Sequence, residues 1–172
     1  MTGFLVPIYA ALAGAIGAGL LKAIDQYLAR RRRRESTLVA LASEVLAIRD
    51  LIRSQGYFDQ YAQLAKNIRN GTWDGTTYVI DIQQNYFSVY EALAAELGLL
   101  NPTHVSKIVS FYSYCKSVID ATRPDSPVNS SENSELSSNI IGVEGVLMAI
   151  TILADEIVQF PKKPLPVLED ND

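Results

Sequence analysis

The side chains that most often carry chemistry are nearly missing from this chain, which has one cysteine, Cys115, and one histidine, His104. A lone cysteine rules out an internal disulfide, a CxxC motif and a cysteine zinc cluster, and it suits a reducing compartment. A lone histidine rules out HExxH and the two Glu-x-x-His pairs of a di-metal carboxylate bundle. GxxxxGK[ST], GxGxxG and GxSxG are absent as well, so no phosphate cradle or hydrolase elbow is encoded. Carboxylate pairs do not fill the gap, because Glu91 and Glu96 lie about 140° apart around a helix and Asp155 and Glu156 diverge similarly. Cys115 shares an apolar stripe with Tyr112 and Ile119 and reads as a small buried hydrophobe; His104 reads as a surface residue at a helix start. A non-enzymatic protein without a metal or cofactor is therefore expected.

Charge is missing too, but only near one end. Nineteen residues from Gly3 to Leu21 carry none, and five consecutive arginines, Arg30–Arg34, follow a short amphipathic stretch. As a helix rising about 1.5 Å per residue, Gly3 to Ile24 would measure about 33 Å, enough to cross bilayer hydrocarbon with Lys22 snorkelling into the headgroups. The positive charge follows the apolar run instead of preceding it, which is the order of an anchor and not of a cleavable signal peptide. Arginines are retained on the cytoplasmic side and attracted by anionic lipid. Lys22, Arg30, Arg31, Arg32, Arg33 and Arg34 are thus expected at the inner face of the plasma or inner membrane, with the N-terminus outside. Within the run, Ile8, Leu12, Ile16 and Leu20 line one side. Ala10, Gly14 and Ala18 lie opposite, and Ala11, Ala15 and Gly19 widen that side into a smooth face of the kind that packs against another membrane helix, from a copy of itself or another subunit.

Glycine and proline are absent from Lys22 to Gln55. Leu38, Leu41, Ala42, Val45, Ile48 and Ile52 form one helical stripe there, with Glu44, Arg49, Asp50 and Arg53 largely outside it. The membrane helix either runs on into this one, as a single rod ending at Gly56, or breaks at Glu35-Ser36-Thr37, where Ser36 or Thr37 would cap a fresh helix. A second helix carries Tyr57, Phe58, Tyr61, Leu64, Ala65 and Ile68 and ends at Asn70-Gly71. The loop after it holds a turn at Asp74-Gly75, with room for a small hairpin, and the only tryptophan; Trp73 is the best single candidate for contact with a partner. A third helix is expected from Tyr78 to Leu97. Asn101-Pro102 supplies a cap and a first-turn proline for a fourth.

Arg123 to Glu135, rich in serine and asparagine and broken by Pro124 and Pro127, reads as a flexible loop. The last helix, Leu136 to Phe160, is apolar enough to be weighed as a second span. Glu144 near its centre would cost about 2.5–3.5 kcal/mol there, so it reads as the central helix of a bundle. Pro161 to Asp172 reads as an extended tail.

Residues 1–35 hold six of the fifteen basic residues but only Asp25 and Glu35 of the nineteen acidic ones, which leaves nine basic against seventeen acidic residues in the remainder. Such a surface repels phosphate, so protein partners are expected and nucleic acid is not. The expected fold class is all-α: a single N-terminal transmembrane helix with its polyarginine stop (1–35), a cytoplasmic antiparallel bundle of four or five helices (36–160) and a tail (161–172). The expected role is an interaction or adaptor subunit that tethers or recruits a protein partner at the cytoplasmic membrane face. The alternative is a self-associating membrane oligomer that forms a pore or disrupts the bilayer under control of its bundle.

Overall fold

The stretch without glycine or proline becomes part of one very long helix. The structure, a computed structural model, describes the backbone of residues 5–80, 85–124, 126 and 133–162, and the side chains of 19–80, 85–124, 126 and 135–161. Helix α1 spans Leu5–Ser54, 50 residues, or about 75 Å. It does not break at Glu35-Ser36-Thr37. Ser36 stays exposed, and the Thr37 hydroxyl, instead of capping a new helix, donates to Glu96 Oε2 at 2.7 Å.

α1 stops where Gly56 adopts φ +64, a left-handed conformation natural to glycine. The Gly56 N–H donates to the Arg53 carbonyl, and the Gly56 carbonyl accepts from the Gln60 N–H at 3.0 Å. One glycine therefore closes α1 and opens α2, Tyr57–Arg69. α2 ends as expected at Asn70-Gly71, where Gly71 has φ +68. The Gly71 and Thr72 N–H groups donate back to the carbonyls of Ile68 and Asn67, the paired bonds of a left-handed helix stop.

The third expected helix is the main correction. Among its described residues helix begins only at Ser88: α3 covers Ser88–Leu93, and a 3₁₀ turn covers Ala94–Leu99, while 81–84 lie outside the described residues. Residues 72–80 are irregular, with a bend at Gly75 and no strand among the described residues on either side of Asp74-Gly75. Five consecutive β-branched or aromatic residues, Thr76-Thr77-Tyr78-Val79-Ile80, lose side-chain freedom in a helix. Tertiary contacts take them instead: Ile80 is buried, and the Tyr61 hydroxyl donates to the Tyr78 carbonyl at 2.5 Å. Asn85 Oδ1 then accepts from the Phe87 N–H at 2.9 Å, a local turn that sets up α3.

The fourth start signal holds. Asn101 Oδ1 accepts from the Thr103 N–H at 2.9 Å, Pro102 occupies the first turn, and α4 runs Pro102–Thr122. α5 runs Asn133–Ile157, followed by a short 3₁₀ turn at Phe160–Lys162. Most of the Arg123–Glu135 loop and the tail from residue 163 on lie outside the described residues.

α5 is the central helix and packs against α4, α2 and α1. It opposes all three in direction. Arg49 of α1 pairs with Asp155, while Arg53 shares a cleft with Thr151; Phe58 of α2 lines that same cleft, and Arg69 pairs with Glu144. On α4, Lys107 reaches Glu156 at 2.5 Å, and Val118 and Ile119 share a cavity with Leu147 and Ile150. α1 and α4 consequently run the same way. The core they enclose includes Leu41, Val45, Ile108, Phe111, Tyr112, Leu147, Ile150 and Ile157.

An all-helical fold is thus present, but among the described residues no helix is long and apolar enough to cross a membrane. The expected transmembrane helix is not supported by the described residues. Of the run Gly3–Leu21 only Gly19, Leu20 and Leu21 have described side chains, so the small-residue face of Ala10, Ala11, Gly14, Ala15 and Ala18 lies outside them.

Candidate functional site

Two features of α1 converge on one place. Thr37 is the first buried residue among those of the helix whose side chains are described, and from there its inward stripe enters the core. Before it, every residue from Gly19 to Ser36 is exposed except half-buried Arg34. Leu20 (63% exposed), Leu21 (66%), Ile24, Tyr27 (66%) and Leu28 are therefore bare. At 100° per residue these five share about a third of the circumference, with Lys22, Asp25 and Gln26 on the other side.

The arginines follow immediately. Five in succession, 100° apart, surround the helix completely. Arg31 pairs with Glu35 at 3.0 Å, and Arg33 pairs with Glu96 at 2.7 Å. Arg30, Arg32 and Arg34 have no acidic partner among the described residues, and Arg34 Nε is buried without an acceptor there.

A polar seam flanks the buried stripe of α1. Arg33, Thr37 and Glu44 fall within about 40° of one another around the axis, and the segment from Asn85 to Leu99 lies against them. Glu96 Oε1 accepts from Arg33 Nε and Nη2, and Oε2 from the Thr37 hydroxyl. These bonds hold the Glu96 carboxyl below its ordinary range and the Arg33 guanidinium above its own. Glu44 caps α3 from a distance: its two oxygens accept from the Val89 and Tyr90 N–H groups at 2.7 and 3.0 Å. Phe87, at the cap position of α3, makes no side-chain cap bond. The Tyr112 hydroxyl donates to Glu44 Oε2 at 2.6 Å. Tyr112 is stacked on Tyr90 at 4.0 Å, and burial, reinforced by Glu44, pushes its phenol far above the usual value.

The other expected residues are placed as follows. Trp73 is half-buried against the core, and its indole N–H donates to the Thr76 carbonyl at 2.7 Å, so its polar tip is already engaged. His104 is also half-buried, stacked on Phe160 at 4.0 Å, where it fixes the turn after α5 against the start of α4. Cys115 is buried, as read from its stripe, and desolvation pushes its thiol up to about 12. It lines an apolar cavity of about 40 Å³ with Ile48, Tyr57, Phe87 and Leu147, room for a few atoms only. On the outside of α5, Met148 and Ile152 are exposed, beside Gly142 and Gly145, whose Cβ positions face open space.

Thr37, Glu44, Glu96 and Tyr112 were not singled out by the sequence. One signal was present: Glu44 stands three residues after Leu41 and four before Ile48, which puts it at the edge of the buried stripe and not outside it. No family model matches the chain, nor does any curated protein or solved structure.

Proposed function

We propose that this chain is a non-enzymatic, membrane-anchored interaction subunit. In this reading Gly3 to Leu21 crosses the plasma or inner membrane with the N-terminus outside. The arginines hold anionic headgroups of the inner leaflet, and the acidic bundle holds a protein partner in the cytoplasm. The observation that carries it is the bare stripe Leu20, Leu21, Ile24, Tyr27 and Leu28, which the bundle leaves uncovered. Burying one large apolar side chain is worth about 1.5–3 kcal/mol, so five together on one side of a projecting helix favour a second apolar phase. The stripe continues the uncharged run and ends at the arginines, the order expected where a tilted helix leaves lipid, with Tyr27 at interfacial depth. Met148 and Ile152 on α5 supply exposed apolar contact area for the partner.

The test is fractionation of cells expressing the full chain with a C-terminal tag. The chain is expected in the membrane pellet, resistant to alkaline carbonate, with the tag shielded from protease added outside; deletion of Met1–Glu35 should release it. Recovery of the intact chain in the soluble fraction without detergent, or digestion of the tag from outside, overturns the proposal. In the same membranes, cross-linking before and after Gly14→Leu with Ala18→Leu separates a tether from an oligomer. An oligomer lost on substitution favours the pore-forming or bilayer-disrupting alternative.

A further inference from the structure

The segment from Ser88 to Leu99 is held to the bundle differently from any helix in it. Neither α3 nor the 3₁₀ turn contains a buried residue. The segment is pinned at its flanks by buried Phe87 and Leu100, and between them it is fastened to α1 by two carboxylates pointing in opposite senses. Glu44 reaches out from α1 to the start of α3; Glu96 reaches back from the 3₁₀ turn to Arg33 and Thr37.

The two fasteners are unequal. Glu44 is half-buried and holds two backbone N–H groups and the Tyr112 hydroxyl. Glu96 holds Arg33, whose side chain is 66% exposed and belongs to the arginine run. Its Oε1 occupies the Nε and Nη2 edge of the guanidinium, the edge that presents two parallel N–H bonds to a carboxylate or a phosphate. A phosphate oxygen pair and Glu96 cannot both use it.

We propose that Ser88–Leu99 is a strap whose outer fastener is exchangeable: the phosphodiester of an anionic lipid headgroup takes the Nε and Nη2 edge of Arg33, Glu96 is released, and the 3₁₀ turn lifts from α1 while Glu44 keeps α3 docked. The inference rests on the reading that the arginines meet lipid. The pair is open to solvent on the Arg33 side, 66% exposed against 22% for Glu96, and an ion pair that solvent reaches is a weak one, which makes the exchange accessible. An anionic leaflet pushes in the same direction twice, since it attracts Arg33 and repels Glu96. Lifting the turn exposes Leu97, which packs against the core, and so changes the bundle surface nearest the membrane. Coupling of this kind is reciprocal: if headgroups loosen Glu96, removing Glu96 must tighten headgroup binding by the same factor.

The experiment places the full chain in nanodiscs of phosphatidylcholine alone or of an equal mixture with phosphatidylglycerol, and follows amide hydrogen exchange by mass spectrometry. Residues 94–99 should exchange about fivefold faster or more in the mixed discs, with residues 41–52 unchanged. Glu96→Gln should exchange rapidly at 94–99 in both discs, and bind short-chain phosphatidylglycerol tighter by the same factor. Arg33→Gln should also free the turn but lose the lipid response. Equal exchange of the wild-type turn in the two discs, or unaltered headgroup affinity in Glu96→Gln, overturns the strap while leaving the anchor standing. Acceleration by inorganic phosphate in phosphatidylcholine discs overturns the assignment to lipid, and failure of the chain to enter discs overturns the anchored reading itself.

Discussion

The two halves of α1 share one backbone and live in different surroundings. From Thr37 to Ser54 the helix buries Leu38, Leu41, Val45, Ile48 and Ile52, and it packs against α5, α3 and the two 3₁₀ turns. From Gly19 to Ser36 it carries an apolar stripe, Leu20, Leu21, Ile24, Tyr27 and Leu28, that stays exposed among the described residues. Helix formation is therefore not evidence of packing. Local propensity and the absence of a breaker suffice to continue the hydrogen-bond ladder, whereas burial needs partners brought from elsewhere. The projecting half keeps its apolar surface available to something outside the chain.

Core truncation tests this contrast most strongly. Leu41→Ala, at a fully buried position, should cost about 2–5 kcal/mol in urea unfolding of the detergent-solubilised full chain, whereas Leu21→Ala should change stability by less than about 0.5 kcal/mol. A comparable loss at Leu21 would mean that the projecting half packs against the bundle after all. The next effect is that of the inner carboxylate. Glu44→Ala strands two backbone N–H groups and the Tyr112 hydroxyl, and should cost about 3 kcal/mol in the same assay; Glu44→Gln, which keeps one acceptor oxygen, should cost less.

Glycine replacement should give opposite signs at the stop of α1 and in its projecting half. Gly56→Ala forces a Cβ into φ +64 and should destabilise by about 1 kcal/mol, while Gly19→Ala, in open space on a regular helix, should raise helicity by circular dichroism.

The smallest effects are those of titration. Burial pushes the Tyr61 phenol up to about 12, above its ordinary value near 10. Its neutral form is favoured in the fold, so its contribution is whole below about pH 10 and is lost as the pH climbs through about 12. Absorbance at alkaline pH should show Tyr61 ionising late and Tyr112 later still. Glu96 has the opposite sign: its lowered value means that its hold on Arg33 is present above the ordinary carboxylate range and is lost as the pH falls through that value. Exchange at residues 94–99 should accelerate on acidification accordingly.

Helix punctuation was the most legible part of the chain. Gly56, Asn70-Gly71 and Asn101-Pro102 each mark a boundary where expected, because a cap is settled by residues within one turn of it. The sequence suggests helix at Tyr78–Ile80 because an apolar spacing of three and four continues through them, whereas β-branched side chains and the Tyr61 hydroxyl favour the irregular backbone found there. The sequence marks Trp73 as a loop residue suited to partner contact, and the loop folds its ring onto the core. The polar seam was the least legible element. Glu44 finds its donors 45, 46 and 68 residues away, and Glu96 meets Arg33 63 residues away.

The amino-acid order by itself determined where α1 and α2 stop and α4 starts, that Cys115 is buried and that charge is divided between a basic N-terminal helix and an acidic remainder, because these depend on neighbours along the chain. Only the tertiary structure decided which half of α1 is covered, that α3 starts on a carboxylate borrowed from another helix, and that one arginine of the run is tied to the bundle. Those outcomes depend on distant segments meeting at one place, and no local pattern carries the distance between them.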